Sequence, residues 1–350
     1  MVHIPDIIRN HPDLWDLYTR KEEYSPRQLD QHDQFLCAYG TYQDILDPAV
    51  SRYLVHKGFH PDYPEDKPFA VCLTHDVDEV YPPIGHLVLS SLACCRELDL
   101  KRLWEQVSWK LNRKEKSPYR NFTEIMDIEE KFGAQSSFYV LATDIDITRF
   151  RYAIEELEED LGQIMDRGWE IGLHGGYYAY NDYEKIQTEK KRLEQVLGRK
   201  VVGYRNHYLR IHVPSTWVKL AQAGFLYDSS LGYNEITGFR NGMCHPFRPY
   251  NLNTDREVDI LEIPLTIMDD TLFESTRSDK EAWKLAKSLI DAVASYQGVL
   301  CLNWHSESFH CPFKQKREIM YKKMLDYCYT RNAWLTSGEN ISAWWKKNEY

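Results

Sequence analysis

The sequence predicts an α/β fold built on parallel strands, arranged as an α/β barrel or an open doubly wound sheet. Three observations carry this. From Pro68 onward, continuous apolar runs of strand length recur along the 350 residues, as strands buried on both faces require. Stretches of helical spacing stand between them, several stopped by a glycine, as at Gly133, Gly168 and Gly198. Polar residues able to do chemistry collect at the C-terminal ends of the runs, where barrel active sites assemble.

Residues 1–66 do not share the alternation. They hold short amphipathic pieces broken by Pro5, Pro12, Pro26, Pro48, Pro61 and Pro64, and read as an N-terminal extension packing on a main domain of residues 67–350. The main domain opens with the strand FAVCLTHDVD, a long helical region from Ile84 to Lys116, and a helix from Asn121 to Phe132. The strand AQSSFYVLA, a helix from Ala153 to Arg167, the strand WEIGLH and a charged helix from Asp182 to Leu197 come next. Strand KVVGYR, a helix from Pro214 to just before Gly224, strand FLYDSS and the short strand DILEIPL continue the series. A helix from Lys280 to Tyr296, strand GVLCLNWH, a helix from Lys314 to Tyr329, strand AWLT and a helix from Ile341 to Lys347 complete it.

Composition excludes several function classes. Lys and Arg total 43 against 53 Asp and Glu, and a formal charge of −10 repels a nucleic-acid backbone. The longest apolar stretch, Ile84 to Cys95, carries His86 and two serines and falls short of the roughly 20 residues a membrane span needs. The first residues lack the pattern of a signal peptide, so a cytoplasmic protein is expected. The eight cysteines show no metal-type pairing and read as reduced thiols in apolar surroundings. No G-x-G-x-x-G or G-x-x-x-x-G-K-S/T follows a strand, which removes the main support for dinucleotide and P-loop chemistry. The 10 Trp and 24 Tyr suit the stacking faces of a sugar site and a large core equally.

The candidate residues are Thr74, His75, Asp76 and Asp78 after the first strand, His174 after the third, Arg205 and His207 after the fourth, Asp228, and His305. Any one of them is more often a cap or a satisfied turn residue; together they point to one site. Asp76 and Asp78 lie two apart and share a strand face, which turns His75 away. Such a pair can divide its duties, one carboxylate holding a cation and the other accepting a proton from water.

In order and strand context the segments LTHDVD (73–78), SSFYVL (136–141), EIGLHGGYY (170–178), YRNHYL (204–209), YDSSLGY (227–233) and LNWHSE (302–307) resemble the polysaccharide deacetylases. These are carbohydrate esterase family 4, which share the nodulation-type deacetylase homology domain. The resemblance covers roughly residues 67–340. It implies a distorted (β/α)7 barrel and a metal-assisted hydrolase, often with zinc, that removes N-acetyl groups from a carbohydrate substrate. On its motifs Asp76 is the general base, Arg205 holds that aspartate, His305 is the acid that protonates the leaving amine, and Asp228 tunes or orients the acid. Asp78 and His174 are metal ligands. The family's second motif histidine is replaced by Tyr178, which could itself ligate or hydrogen-bond a water. His207, where the family has a proline, either completes the metal site or touches substrate. A main-chain N–H following His207 would bind the oxyanion. Trp304, Tyr177, Tyr208 and Tyr233 could wall a sugar ring or fill the core. Two other readings stay open: an allantoinase-like hydrolase of a small nitrogen compound, and a degenerate, non-catalytic glycan-binding barrel.

Overall fold

The computed structural model describes residues 3–111, 116–144, 152–309 and 311–348. The N-terminal segment forms α1 (Ile4–Ile8), α2 (Pro12–Thr19) and α3 (Ala49–His56). It is fastened to the main body by a buried charge cluster, in which Glu23 accepts from Arg20 at 2.7 Å and from Arg240 at 2.8 Å. Glu22, 3.2 Å from Arg20, supplies a second carboxylate, so the two cations are matched by two anions, as the low dielectric demands.

The strands and helices then alternate. β1 (Ala70–Val77) leads to α4 (Ile84–Glu97), α5 (Leu100–Leu111) and α6 (Phe122–Glu130); β2 (Ser137–Leu141) to α7 (Glu158–Asp166); β3 (Glu170–Gly175) to α8 (Tyr183–Leu197). β4 (Gly203–Asn206) leads to α9 (Ser215–Gln222) and the short β5 (Tyr227–Asp228), followed by a hairpin of β6 (Tyr250–Asn251) and β7 (Arg256–Glu257). β8 (Leu261–Glu262), β9 (Leu265–Met268), α10 (Asp269–Glu274), α11 (Asp279–Ser295), β10 (Val299–Asn303), α12 (Gln315–Thr330), β11 (Trp334–Thr336) and α13 (Gly338–Lys347) complete the chain.

The main sheet is parallel, in the order β8-β5-β4-β3-β2-β1-β10-β9, with β11 beside the start of β1. Its two ends belong to one stretch of chain. Leu261–Glu262 pair with β5, Leu265–Met268 pair with β10, and Ile263 and Pro264 lie between them. Pro264 has no N–H for a ladder, so the sequence run DILEIPL breaks there instead of continuing as one strand. Taking β8 and β9 as one interrupted strand, seven strands curl round, which is the distorted (β/α)7 barrel that the motifs implied.

All eight residues of β1 are buried. Each large apolar side chain so enclosed contributes about 1.5–3 kcal/mol. Alternation sends Thr74 and Asp76 inward to Arg205 of β4 and sends His75 outward under the helices. There His75 Nδ1 donates to the Trp304 carbonyl at 2.7 Å, and Nε2 lies 2.8 Å from Glu129 of α6. Burial alone would raise the Glu129 carboxyl, but His75 and the donors Tyr321 and Trp169 hold it below its usual value.

The helix expected over Ile84–Lys116 is two helices; residues 112–115 lie outside those described. Leu98 takes a left-handed conformation (φ 57°) that stops α4, and Asp99 caps α5 by accepting from the Arg102 N–H at 3.0 Å. A left-handed leucine costs about 1–2 kcal/mol, which the cap offsets in part. All eight cysteines are free thiols. Among the described residues no helix is long and apolar enough to cross a membrane.

Candidate functional site

Parallel strands bring their C-terminal ends to one rim, and the loops leaving β1, β3, β4, β9 and β10 surround a cavity of about 280 Å³ there. Asp76, Asp78, His174, His207 and His305 all line it.

Asp76 is fixed on both oxygens. Arg205 Nη1 donates to Oδ1 at 3.1 Å and Asn303 Nδ2 donates to Oδ2 at 2.8 Å. Arg205 is wholly buried and is spread over several acceptors: Thr74 Oγ1 at 2.6 Å, the Ser229 carbonyl at 2.9 Å and Ser229 Oγ at 2.7 Å. Its guanidinium also lies 4.7 Å over the Tyr139 ring. Planar, multidentate donation of this kind orients a carboxylate more tightly than an ammonium would.

Asp78 stands where three imidazoles converge. His174 Nε2 is 3.1 Å from Oδ1, while His207 Nε2 and His305 Nε2 are each 3.6 Å from Oδ2. Burial would raise the Asp78 carboxyl, but His207 and His174 hold it well below its usual range. His174 Nδ1 donates to the Arg205 carbonyl at 2.9 Å. In a neutral ring this leaves the Nε2 lone pair aimed at a carboxylate oxygen, an arrangement that asks for a cation between them. One oxygen or nitrogen from each of Asp78, His174 and His207 lies within 4.8 Å of the others. An aspartate and two histidines form a donor set suited to zinc or a similar divalent ion, with room left for water. Tyr178 stands apart, its ring 45% exposed and edge-on to Tyr177 at 5.0 Å.

His305 leaves the end of β10, and its Nδ1 lies 2.6 Å from Asp269 Oδ1. Asp269 is fully buried, bonded to Ser308 Oγ, and 3.3 Å from Arg317 Nη1. Burial would lower the imidazole, but the Asp269 charge raises it well above the ordinary histidine value.

The structure corrects the expected partner of the acid. Asp228 does not reach His305: its Oδ1 accepts from Ser230 N at 3.1 Å and Ser230 Oγ at 2.6 Å, and it pairs in register with Glu262 in the barrel wall. Burial and the neighbouring carboxyl push Glu262 well up, and burial pushes Asp228 up to about 6. Topology explains the exchange. β9 is the parallel neighbour of β10, so the residue after β9 meets the residues after β10, whereas β5 lies one strand further round, on the other side of the interrupted β8–β9 strand. Asp269 and Asn303 were absent from the sequence-level candidates. Asp269 obeys the same strand-end rule, but the strand was expected to end at Leu265 and in fact continues through Met268.

Of the four aromatics considered as sugar walls, Tyr208 lines the cavity. Trp304 is fully buried against Tyr321, and Tyr233 is buried beside Arg20 and Arg240. Tyr177 is also buried and shares a 2.9 Å hydrogen bond with His32 of the N-terminal segment. The His32 ring lies 5.4 Å from that of Tyr208, and Gln34 donates to the Tyr208 carbonyl, so the extension reaches the rim of the cavity.

No family model matches the chain, and no curated protein matches it in sequence. Solved structures do. A protein assigned as a polysaccharide deacetylase from Mycobacterium smegmatis superposes with a TM-score of 0.55 at 18% identity, over 83% of this chain and 94% of its own. Another so assigned, from Pseudomonas aeruginosa PAO1, gives 0.55 at 16% identity over 83% and 94%. The PuuE allantoinase gives 0.54 at 15% identity over 91% and 98%. The likeness is one of architecture, and by it this chain has the polysaccharide deacetylase fold.

Proposed function

We propose that the protein is a metal-assisted N-deacetylase acting on an amino sugar or glycan precursor. The observation that supports this most is the presence, in one cavity, of a fixed carboxylate, a raised imidazole and an Asp-His-His donor set. Pure binding requires neither an acid nor a base.

A divalent cation held by Asp78, His174 and His207 would polarise the acyl carbonyl and lower the pKa of a bound water. Asp76, oriented by Arg205 and Asn303, takes the proton as water adds to the acyl carbon. The Tyr208 N–H, in a left-handed turn (φ 61°) beside His207, is our assignment for the donor to the developing oxyanion. His305, kept cationic by Asp269, gives its proton to the amide nitrogen as the C–N bond breaks, so that acetate and a free amine leave.

The test is a substrate panel on zinc-supplemented protein, with acetate release from N-acetylated sugars of increasing length measured beside ring opening of allantoin. Acetate release that disappears in Asp76→Asn supports the proposal. Turnover of allantoin alone would transfer the same residues to a cyclic-ureide hydrolase. Carbohydrate binding without turnover would leave a glycan-binding barrel.

A further inference from the structure

The turn that follows β4 is bent against the preference of its own residues. Tyr208 (φ 61°) and Leu209 (φ 53°) are both left-handed, and neither is a glycine. L side chains rarely adopt this region, and such backbone persists where its surroundings over-determine it. Two side-chain amides do so here. Asn206 Nδ2 donates to the His207 carbonyl at 3.0 Å, and Gln34 Nε2 donates to the Tyr208 carbonyl, so two successive peptides of the turn are each held by a carbonyl.

Chemistry fixes the direction of the first bond. Asn206 is wholly buried, and a carbonyl can only accept, so its NH2 faces His207 and its Oδ1 takes the Tyr204 hydroxyl at 2.5 Å. Gly175, the register partner of Asn206 on β3, leaves room for that hydroxyl: a Cβ there would lie 1.9 Å from it. A trans peptide is planar with its C=O and N–H opposed, so tying the His207 carbonyl to Asn206 turns the Tyr208 N–H the other way. The second bond comes from the N-terminal segment, 174 residues distant in sequence. Asp30 Oδ1 accepts from His32 N at 2.8 Å and from Gln34 N at 2.9 Å, which closes residues 30–34 into a tight loop with Gln34 buried. That loop is fastened in turn. Asp33 accepts from the Tyr180 hydroxyl, and the Arg210 guanidinium lies 3.9 Å from the Tyr180 ring and 4.0 Å from that of Tyr177, the partner of His32.

We infer that Asn206 and Gln34 are positioning residues for the reaction, which lock the turn at residues 207–209 so that the Tyr208 N–H is presented to the oxyanion. Loop 30–34 of the N-terminal segment is then part of the active site, although it supplies no group to the chemistry. The inference rests on the assignment of the Tyr208 N–H in the proposed mechanism.

The test compares the zinc-loaded full chain with Gln34→Met and Asn206→Leu, which keep the bulk of the side chain and cannot donate. In both, kcat is expected to fall by roughly 10–10²-fold while KM, zinc content and the melting curve stay those of the wild type. The loss should be equal for N-acetyl amides and activated aryl acetates, because both pass through an oxyanion. A second readout needs no turnover. Protein labelled with ¹⁵N-tyrosine is titrated with acetate, whose carboxylate stands in for the oxyanion, and the Tyr208 amide resonance is identified by its loss in Tyr208→Phe. That resonance is expected to shift in the wild type and to stay in place in Gln34→Met. An unchanged kcat in Gln34→Met, a loss confined to KM, a loss that follows zinc content, or an acetate shift retained in Gln34→Met would overturn the inference. Should Asn206→Leu fail to fold, Gln34→Met decides. Should the wild type release no acetate from any substrate, the proposed function fails and the titration decides alone: a shift abolished by Gln34→Met upholds the inference, and no shift in the wild type overturns it.

Discussion

His305 Nδ1 and Asp269 Oδ1 are 2.6 Å apart, and the aspartate has no exposed surface. The imidazole is thereby kept protonated above the pH at which a free histidine would lose its proton. An acid of this kind is present at low and neutral pH and is lost as pH rises through its raised pKa. Activity should therefore fall on an alkaline limb above about 6.5, the ordinary histidine value. In Asp269→Asn the largest of the charges that oppose burial is gone, so that limb should move down, with a loss approaching about 10²–10⁴-fold at alkaline pH. An unmoved limb in the pH–rate profile would remove Asp269 from the role.

His305→Ala should impair substrates with poor leaving amines far more than activated aryl esters, whose leaving group needs little protonation. Equal losses on the two, measured as kcat/KM, would assign His305 to positioning instead.

Asp76→Asn should lower kcat by roughly 10²–10⁴-fold while metal content, read by elemental analysis, stays that of the wild type. Arg205→Met should behave differently. It strands a carboxylate buried beside it and should cost about 3–5 kcal/mol in denaturant unfolding. A loss under about 1 kcal/mol would show that Asp76 does not need its cation.

His207→Ala leaves Asp78 and His174 as the protein ligands and should lower zinc occupancy sharply, whereas Tyr178→Phe should leave it unchanged. Retained stoichiometric zinc in His207→Ala would hand the third position to another group.

Asp228 and Glu262 make the opposite prediction to Asp269. Both carboxyls are raised in the fold, so the stability they contribute is complete below the usual carboxylate range, near pH 4, and declines as pH rises through about 6 and beyond. Glu262→Gln should flatten that decline in melting temperature between about pH 5 and pH 8 and leave the alkaline limb of activity in place. A melting temperature that falls as steeply with pH as the wild type's would mean that the pair is not the source.

The strand runs were legible because burial on both faces writes them as unbroken apolar segments, and Asp76, Asp78, His174, Arg205, His207 and His305 were legible because each sits where such a segment turns polar. The partner of His305 was not. Which strand lies beside β10 is a matter of sheet order, and Pro264 hid the continuation to Met268 and Asp269. Asn303 was hidden in another way, inside the run VLCLNW, where nothing distinguishes a functional amide from a buried one. The break at Leu98 was also illegible, since leucine carries no signal for a left-handed turn and the periodicity on either side is helical.

The most direct test measures zinc content and acetate release on one preparation, before and after chelation and reloading, with an N-acetylated amino sugar as substrate. The account predicts close to one zinc per chain, acetate release that follows occupancy, and loss of both in the double variant Asp78→Ala, His174→Ala. Active protein without stoichiometric metal, or fully loaded protein that releases no acetate from any N-acetylated sugar, would contradict it.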